Sequence, residues 1–148
     1  MHATDVMKDI IEANGREVTR LHRRMHETYA LRDESEAHRR DWEAACDEFR
    51  RRYDALAFPG GYTEAGRRIA NGERNTVEAA LCFLELRPYY FRSGYMYDAL
   101  LRKMKRAPLT EPQRARLDEV LRLRAAWIAR RNAEREERRR TPPESRHN

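Results

Sequence analysis

The sequence has little of what a β-sheet needs. β-Branched residues are scarce, and no run alternates apolar with polar residues over the length of a strand, so a sheet would have no face to bury. Cysteine is limited to Cys46 and Cys82, both inside apolar helical patterns and without paired spacing. That excludes a disulfide framework and a cysteine-based metal or redox motif, and predicts two small buried hydrophobes in a reducing compartment. No apolar run approaches the roughly 18–20 residues that span a bilayer, and the N-terminus has no apolar signal region. A cytoplasmic protein without a membrane partner is the expectation. Glycine-rich phosphate loops are also missing, because Gly60-Gly61 lacks the lysine and the helix start such a loop requires. No serine or cysteine has a visible base partner.

What is present is charge, unevenly placed. Residues 1–58 carry 11 basic and 13 acidic side chains, residues 59–100 carry 5 of each, and residues 101–148 carry 15 basic against 7 acidic. The basic excess therefore lies wholly in the last third, where it would attract nucleic acid or an acidic protein surface. Of the 31 basic residues 28 are arginine, a bias that genome base composition produces as readily as selection for binding.

Apolar and aromatic residues are densest between Asn75 and Leu121. Asn75 and Glu78 have capping-box spacing, and Val77, Leu81, Phe83, Leu84 and Leu86 with three small residues cover nearly a whole helical circumference, predicting a helix buried on several sides. Arg87-Pro88 ends it, since the residue before proline is driven out of the helical region. A second helix is expected from about Gly94 to Arg106, after a hinge at Ser93-Gly94. Thr110, Pro112 and Gln113 open a third, whose apolar stripe stops at Ile128.

Upstream, Thr4 is a candidate cap, and Met7, Ile11, Asn14, Val18, Leu21 and Met25 recur every three or four residues as a narrow seam. Such a seam serves either as the inner face of an amphipathic helix or as a dimerising coiled coil in which Asn14 selects register. Arg32–Asp41 has only Ala37 to bury. The chain there either turns near Asp33-Glu34-Ser35 into an antiparallel hairpin, the preferred reading, or continues as one long helix. The second arm carries Trp42, Ala45, Cys46, Phe49, Tyr53 and Leu56, with Asp47–Arg51 and Glu48–Arg52 as outer ion pairs. Phe58-Pro59-Gly60-Gly61-Tyr62 is the strongest break, and a short helix from Thr63 to Ala70 should stop at Asn71-Gly72.

The expected fold is all-α: an N-terminal helical hairpin (1–58) on a compact three- to four-helix core (59–128), then a charged helical extension and a short disordered C-terminal tail (129–148), together one folded unit. The expected function is a non-enzymatic protein-interaction or assembly module, with the Met7 to Met25 seam as its interface with another protein or with itself. The alternative is a nucleic-acid-binding protein. Tyr89, Tyr90, Arg92 and Tyr95 interleave aromatic rings with guanidinium groups, and Arg102, Lys103, Lys105 and Arg106 follow them, with Arg130 and Arg131 further on. These residues would stack bases and hold phosphates, or anchor a protein partner; their third role is to fill the bend between core helices. His22 and His26 lie one turn apart but have no second ligand cluster, so no metal site is assigned. Glu78 and Glu85 share one helix face, where their simplest roles are a cap and an ion pair. No cofactor, catalytic residue or small-molecule substrate follows from the sequence.

Overall fold

The shortage of strand-forming sequence has its counterpart in the structure, a computed structural model that describes residues 2–141: six helices and no strand among those residues. They are α1 (Ala3–Leu31), α2 (Glu36–Ala57), α3 (Ala65–Ala70), α4 (Arg74–Leu86), α5 (Ser93–Arg106) and α6 (Glu111–Arg140). The tail expected after Thr141 lies outside the described residues. The chain divides into two compact units, one running to Leu109 and the other beginning at Thr110.

In the first unit α1 packs chiefly on α2 and also on α4, α4 meets α5, and α3 touches both α4 and α5. The first two helices form the hairpin. Ser35 starts α2 by accepting a hydrogen bond from the His38 backbone N–H at 3.1 Å, which ends any prospect of one continuous rod. The arms are stitched by a charged network in which Arg52 contacts Glu17 and Glu48, each at 3.1 Å, and Arg24 contacts Glu48 at 2.6 Å. Glu17 and Glu48 are held below the usual carboxylate range mainly by arginine hydrogen bonds, from Arg20 and Arg52 respectively. Glu48–Arg52 is the pair expected from helical spacing, whereas Asp47 pairs with Arg50 rather than Arg51.

Two expected caps are replaced. Thr4 does not cap α1: its hydroxyl donates to Glu78 Oε1 at 2.8 Å, and Lys8 meets Glu85 at 3.5 Å, so the two carboxylates of α4 clamp the start of α1. Asn75 lies inside α4, which begins one residue earlier because the end of α3 fixes the chain there. Gly72, at φ +70°, donates to Ile69 O, and the Glu73 N–H reaches back to Arg68 O at 3.0 Å. That pair of bonds is a Schellman closure, and it positions Glu73 as the first residue before the new helix. The next break is held by Asp54, whose carboxylate accepts from both the backbone N–H and the hydroxyl of Thr63, so that α3 starts at Ala65.

α4 is the hydrophobic centre. Val77, Ala79, Ala80, Leu81, Cys82, Phe83 and Leu84 are all buried, each large side chain contributing about 1.5–3 kcal/mol. The α1 seam belongs to this same interior. Ile11, Val18 and Leu21 are no more than 3% exposed, and Met7, Asn14 and Met25 are half-buried. The six positions expected as an interface between proteins lie on the face that α1 turns to its own neighbours, α2 and α4.

In the second unit α6 opens with the reciprocal bonds of a capping box. The Thr110 N–H donates to Gln113 Oε1 at 2.8 Å, and the Gln113 N–H donates to Thr110 Oγ1 at 3.3 Å. It continues to Arg140 through a segment without large apolar residues, supported by pairs such as Arg140–Glu136 at 3.3 Å.

Because the seam is internal, Leu21→Ala should cost about 2–5 kcal/mol in urea unfolding followed by circular dichroism. Val18→Asp should abolish the cooperative transition altogether. A Val18→Asp protein that unfolded like the parent but changed its mass in solution would place the seam between copies instead.

Candidate functional site

The segment between α4 and α5, Arg87 to Arg92, is short, aromatic and firmly held. Arg87 closes α4 and Arg92 opens α5, both in the left-handed region (φ 50° and 67°), the only non-glycine residues with positive φ among those described. Such conformations are disfavoured for a side chain as long as arginine and persist where surrounding contacts fix the chain. Those contacts are visible. The Tyr90 N–H donates to Ser93 Oγ at 3.0 Å and the Ser93 N–H returns a bond to Tyr90 O at 2.9 Å. The Tyr53 hydroxyl donates to Phe91 O at 2.8 Å, and the Tyr90 hydroxyl donates to Ala57 O. Burial raises the pKa of both phenols, more strongly for Tyr90, so both remain donors at any ordinary pH.

Two helices flank the segment. From α1, His22 stacks on Phe91 with ring centroids 4.5 Å apart and meets His26 edge to face at 4.6 Å. From α2, Phe49 and Tyr53 meet Phe91 at 5.8 and 6.2 Å. Gly15 of α1 matters here through what it lacks: a Cβ at that position would sit 3.1 Å from the Tyr90 ring. Tyr90 is consequently buried, the bend-filling role expected for some of these aromatics.

Its neighbours point the other way. Tyr89 is 99% exposed and Tyr95 80%, and Phe91 shows one part of its ring to solvent. Two adjoining cavities meet along Tyr89. The larger, about 870 Å³, is lined by His22, Arg87, Arg92, Tyr95, Tyr97 and Asp98 among others; the smaller, about 460 Å³, runs along α1 past Glu12, Arg16, Arg20 and Arg23. Thr19, Pro88, Tyr89 and Tyr90 line both. The Arg87 guanidinium lies 5.1 Å from the Tyr97 ring centroid and that of Arg92 lies 5.4 Å from Phe91, within cation–π range.

Of the residues singled out from the sequence, Tyr89, Arg92 and Tyr95 line the larger cavity, with Tyr90 beneath them. Arg102, Lys105 and Arg106 are exposed on α5, following Tyr95 at spacings that keep them on one side of that helix, while Lys103 reaches the Tyr62 ring at 5.8 Å and lies against Gly66. Arg130 and Arg131 belong to α6, where the Arg131 guanidinium covers Trp127 at 5.3 Å. His22 and His26 gain no third ligand; among the described residues no group of three histidine, cysteine or acidic side chains is arranged for a metal. Sequence reasoning missed Arg16, Arg20 and Arg23. Their spacing of four and three marks one face of α1, but nothing local shows that this face borders the aromatic segment.

Compared with protein-family models, curated proteins and solved structures, the chain matches none. Among the described residues no helix is long and apolar enough to cross a membrane.

Gly15→Leu should push Tyr90 off its seat, costing about 1–3 kcal/mol in denaturant unfolding and raising the fluorescence sensitivity of the segment's tyrosines to added quencher. His22 titrates below the ordinary imidazole range, first through burial and then through the charge of His26. With the folded pKa depressed, the unfolded chain binds the proton first, so stability is full above the ordinary histidine pKa and declines as pH falls below about 6.5. Urea midpoints at pH 7.5 and 5.5 should therefore differ less for His22→Gln than for the parent.

Proposed function

We propose that this chain is a non-enzymatic binding protein of the cytoplasm whose working surface is the Arg87–Tyr95 segment with the adjoining arginine face of α1, and whose partner is an anionic macromolecule. One observation carries the reading: Tyr89 is wholly exposed on a segment whose backbone is fixed by Tyr53, Tyr90 and Ser93. An aromatic ring held out by a rigid support loses little freedom on binding, and tyrosine with arginine is the usual composition of an energetic anchor. Arg16 and Arg23 enter no ion pair among the described residues, in contrast to Arg20 and Arg24, so their charge is available to a partner. Interaction with a protein and interaction with nucleic acid both fall within this reading; association through the α1 seam does not.

A second reading is favoured by the exposed Arg130 and Arg131 beside Trp127, which make α6 a further anion-binding element. The two surfaces separate on a heparin column, where heparin serves as a generic polyanion. The parent should be retained and eluted by salt, and Arg16→Glu with Arg23→Glu should elute distinctly earlier at unchanged thermal stability. Elution identical to the parent, combined with early elution of Arg130→Glu with Arg131→Glu, would move the working surface to α6.

A further inference from the structure

We infer that the partner of this surface is a single-stranded nucleic acid, its bases stacked on Tyr89 and Tyr95 and its phosphates held by Arg16, Arg23 and Arg92. The inference rests on the reading of the Arg87–Tyr95 face as the binding surface and adds the chemistry of the ligand. Three features of the face select it.

The first is the kind of apolar surface on display. Exposed large side chains there are aromatic, namely Tyr89, Phe91 and Tyr95, while the exposed aliphatic residues of the first unit, Val6, Ile10 and Leu31, line neither cavity. A protein anchor needs a surrounding ring of contacts that exclude water, and the cavities on either side of Tyr89 are lined by arginines instead. A base needs only an accessible ring face and nearby positive charge.

The second is the continuity of the two cavities. They adjoin along Tyr89, so an extended strand crosses from the groove beside α1 to the larger cavity without leaving the surface, passing the exposed ring on the way. The third is the charge. Five arginines line the pair of cavities against two carboxylates, Glu12 and Asp98. Of the five, Arg20 is engaged by Glu17 at 2.5 Å and Arg87 has partners of its own, the Tyr97 ring among them, which leaves Arg16, Arg23 and Arg92 to face phosphates. A double helix presents its bases edge-on inside grooves and offers no ring face to Tyr89, so the aromatic contribution is specific to unpaired strands.

Fluorescence anisotropy with labelled oligothymidylate and oligouridylate of roughly 12 nucleotides tests this directly on the full chain. Binding is expected for at least one of them, and neutralising about three phosphates of a single strand makes it about 20-fold weaker at 200 mM than at 50 mM salt. Tyr89→Ala should weaken it about tenfold, while Tyr89→Phe, which keeps the ring, should bind like the parent. Arg16→Ala with Arg23→Ala should flatten the log–log salt slope by about 1.4. A duplex of equal length should bind more weakly and ignore Tyr89→Ala.

Four results overturn the inference. Oligonucleotide binding that Tyr89→Ala leaves unchanged removes the stacking role. Binding abolished by Arg130→Glu with Arg131→Glu alone moves the strand to α6. Binding of a glutamate–tyrosine copolymer, sensitive to Tyr89→Ala and Arg16→Ala, without any oligonucleotide binding replaces nucleic acid with an acidic protein and leaves the surface itself standing. Binding of neither probe removes the surface as well.

Discussion

The first unit depends on one buried side chain, Tyr90. Its ring lies against Gly15, which keeps α1 close enough to cover it, and its hydroxyl donates to the Ala57 carbonyl at the end of α2. Its backbone exchanges hydrogen bonds with Ser93 at the start of α5. One residue thus ties both arms of the hairpin to the junction of α4 and α5. Burying a phenol unsatisfied would cost on the order of 1–3 kcal/mol, and the Ala57 carbonyl, left over at the helix end, would otherwise lack a partner of its own. Each group supplies what the other needs.

That arrangement explains why adjacent tyrosines have opposite fates. With Tyr90 committed inward and Phe91 gripped between His22, Phe49 and Tyr53, the short path from Arg87 to Ser93 leaves Tyr89 no inward direction. The exposed ring is a consequence of the packing beneath it, and so is the fixed backbone that carries it. The proposed binding surface therefore shares its foundations with the core, and changes such as Gly15→Leu reach function through a residue that no ligand touches.

Much of the fold was legible in the sequence because its signals are local. The capping box at Thr110 and Gln113, the Asn71-Gly72 stop, the Pro88 break and the all-round apolarity of α4 each depend on residues within a few positions of one another. The hairpin was preferred from the apolar series Trp42 to Leu56, which supplies a second arm; the cap at Ser35 that begins that arm was not read. Thr4 and Asn75 were read as caps and are not, since tertiary partners won: Glu78 took the Thr4 hydroxyl, and the Schellman closure of α3 set the start of α4. The seam from Met7 to Met25 shows the limit most clearly. Periodicity marks which face of a helix is covered but not by what, and here the cover is the chain's own α2 and α4. The aromatic half of the candidate site lay in one short run and was visible; the α1 arginines that complete it come from some seventy positions away and were not.

The two left-handed arginines have a meaning for how this protein could evolve or be engineered. Glycine would adopt either backbone conformation with little strain, so keeping arginine at Arg87 and Arg92 sacrifices stability, of the order of 1 kcal/mol at each. The backbone that launches these guanidiniums is aimed by the same twist that strains it, whereas arginines on a relaxed helix would point along the helix's own face. Selection for thermal robustness alone would drift toward glycine at both positions and leave a sturdier molecule with a blunted surface, setting resilience and recognition against each other at these two residues.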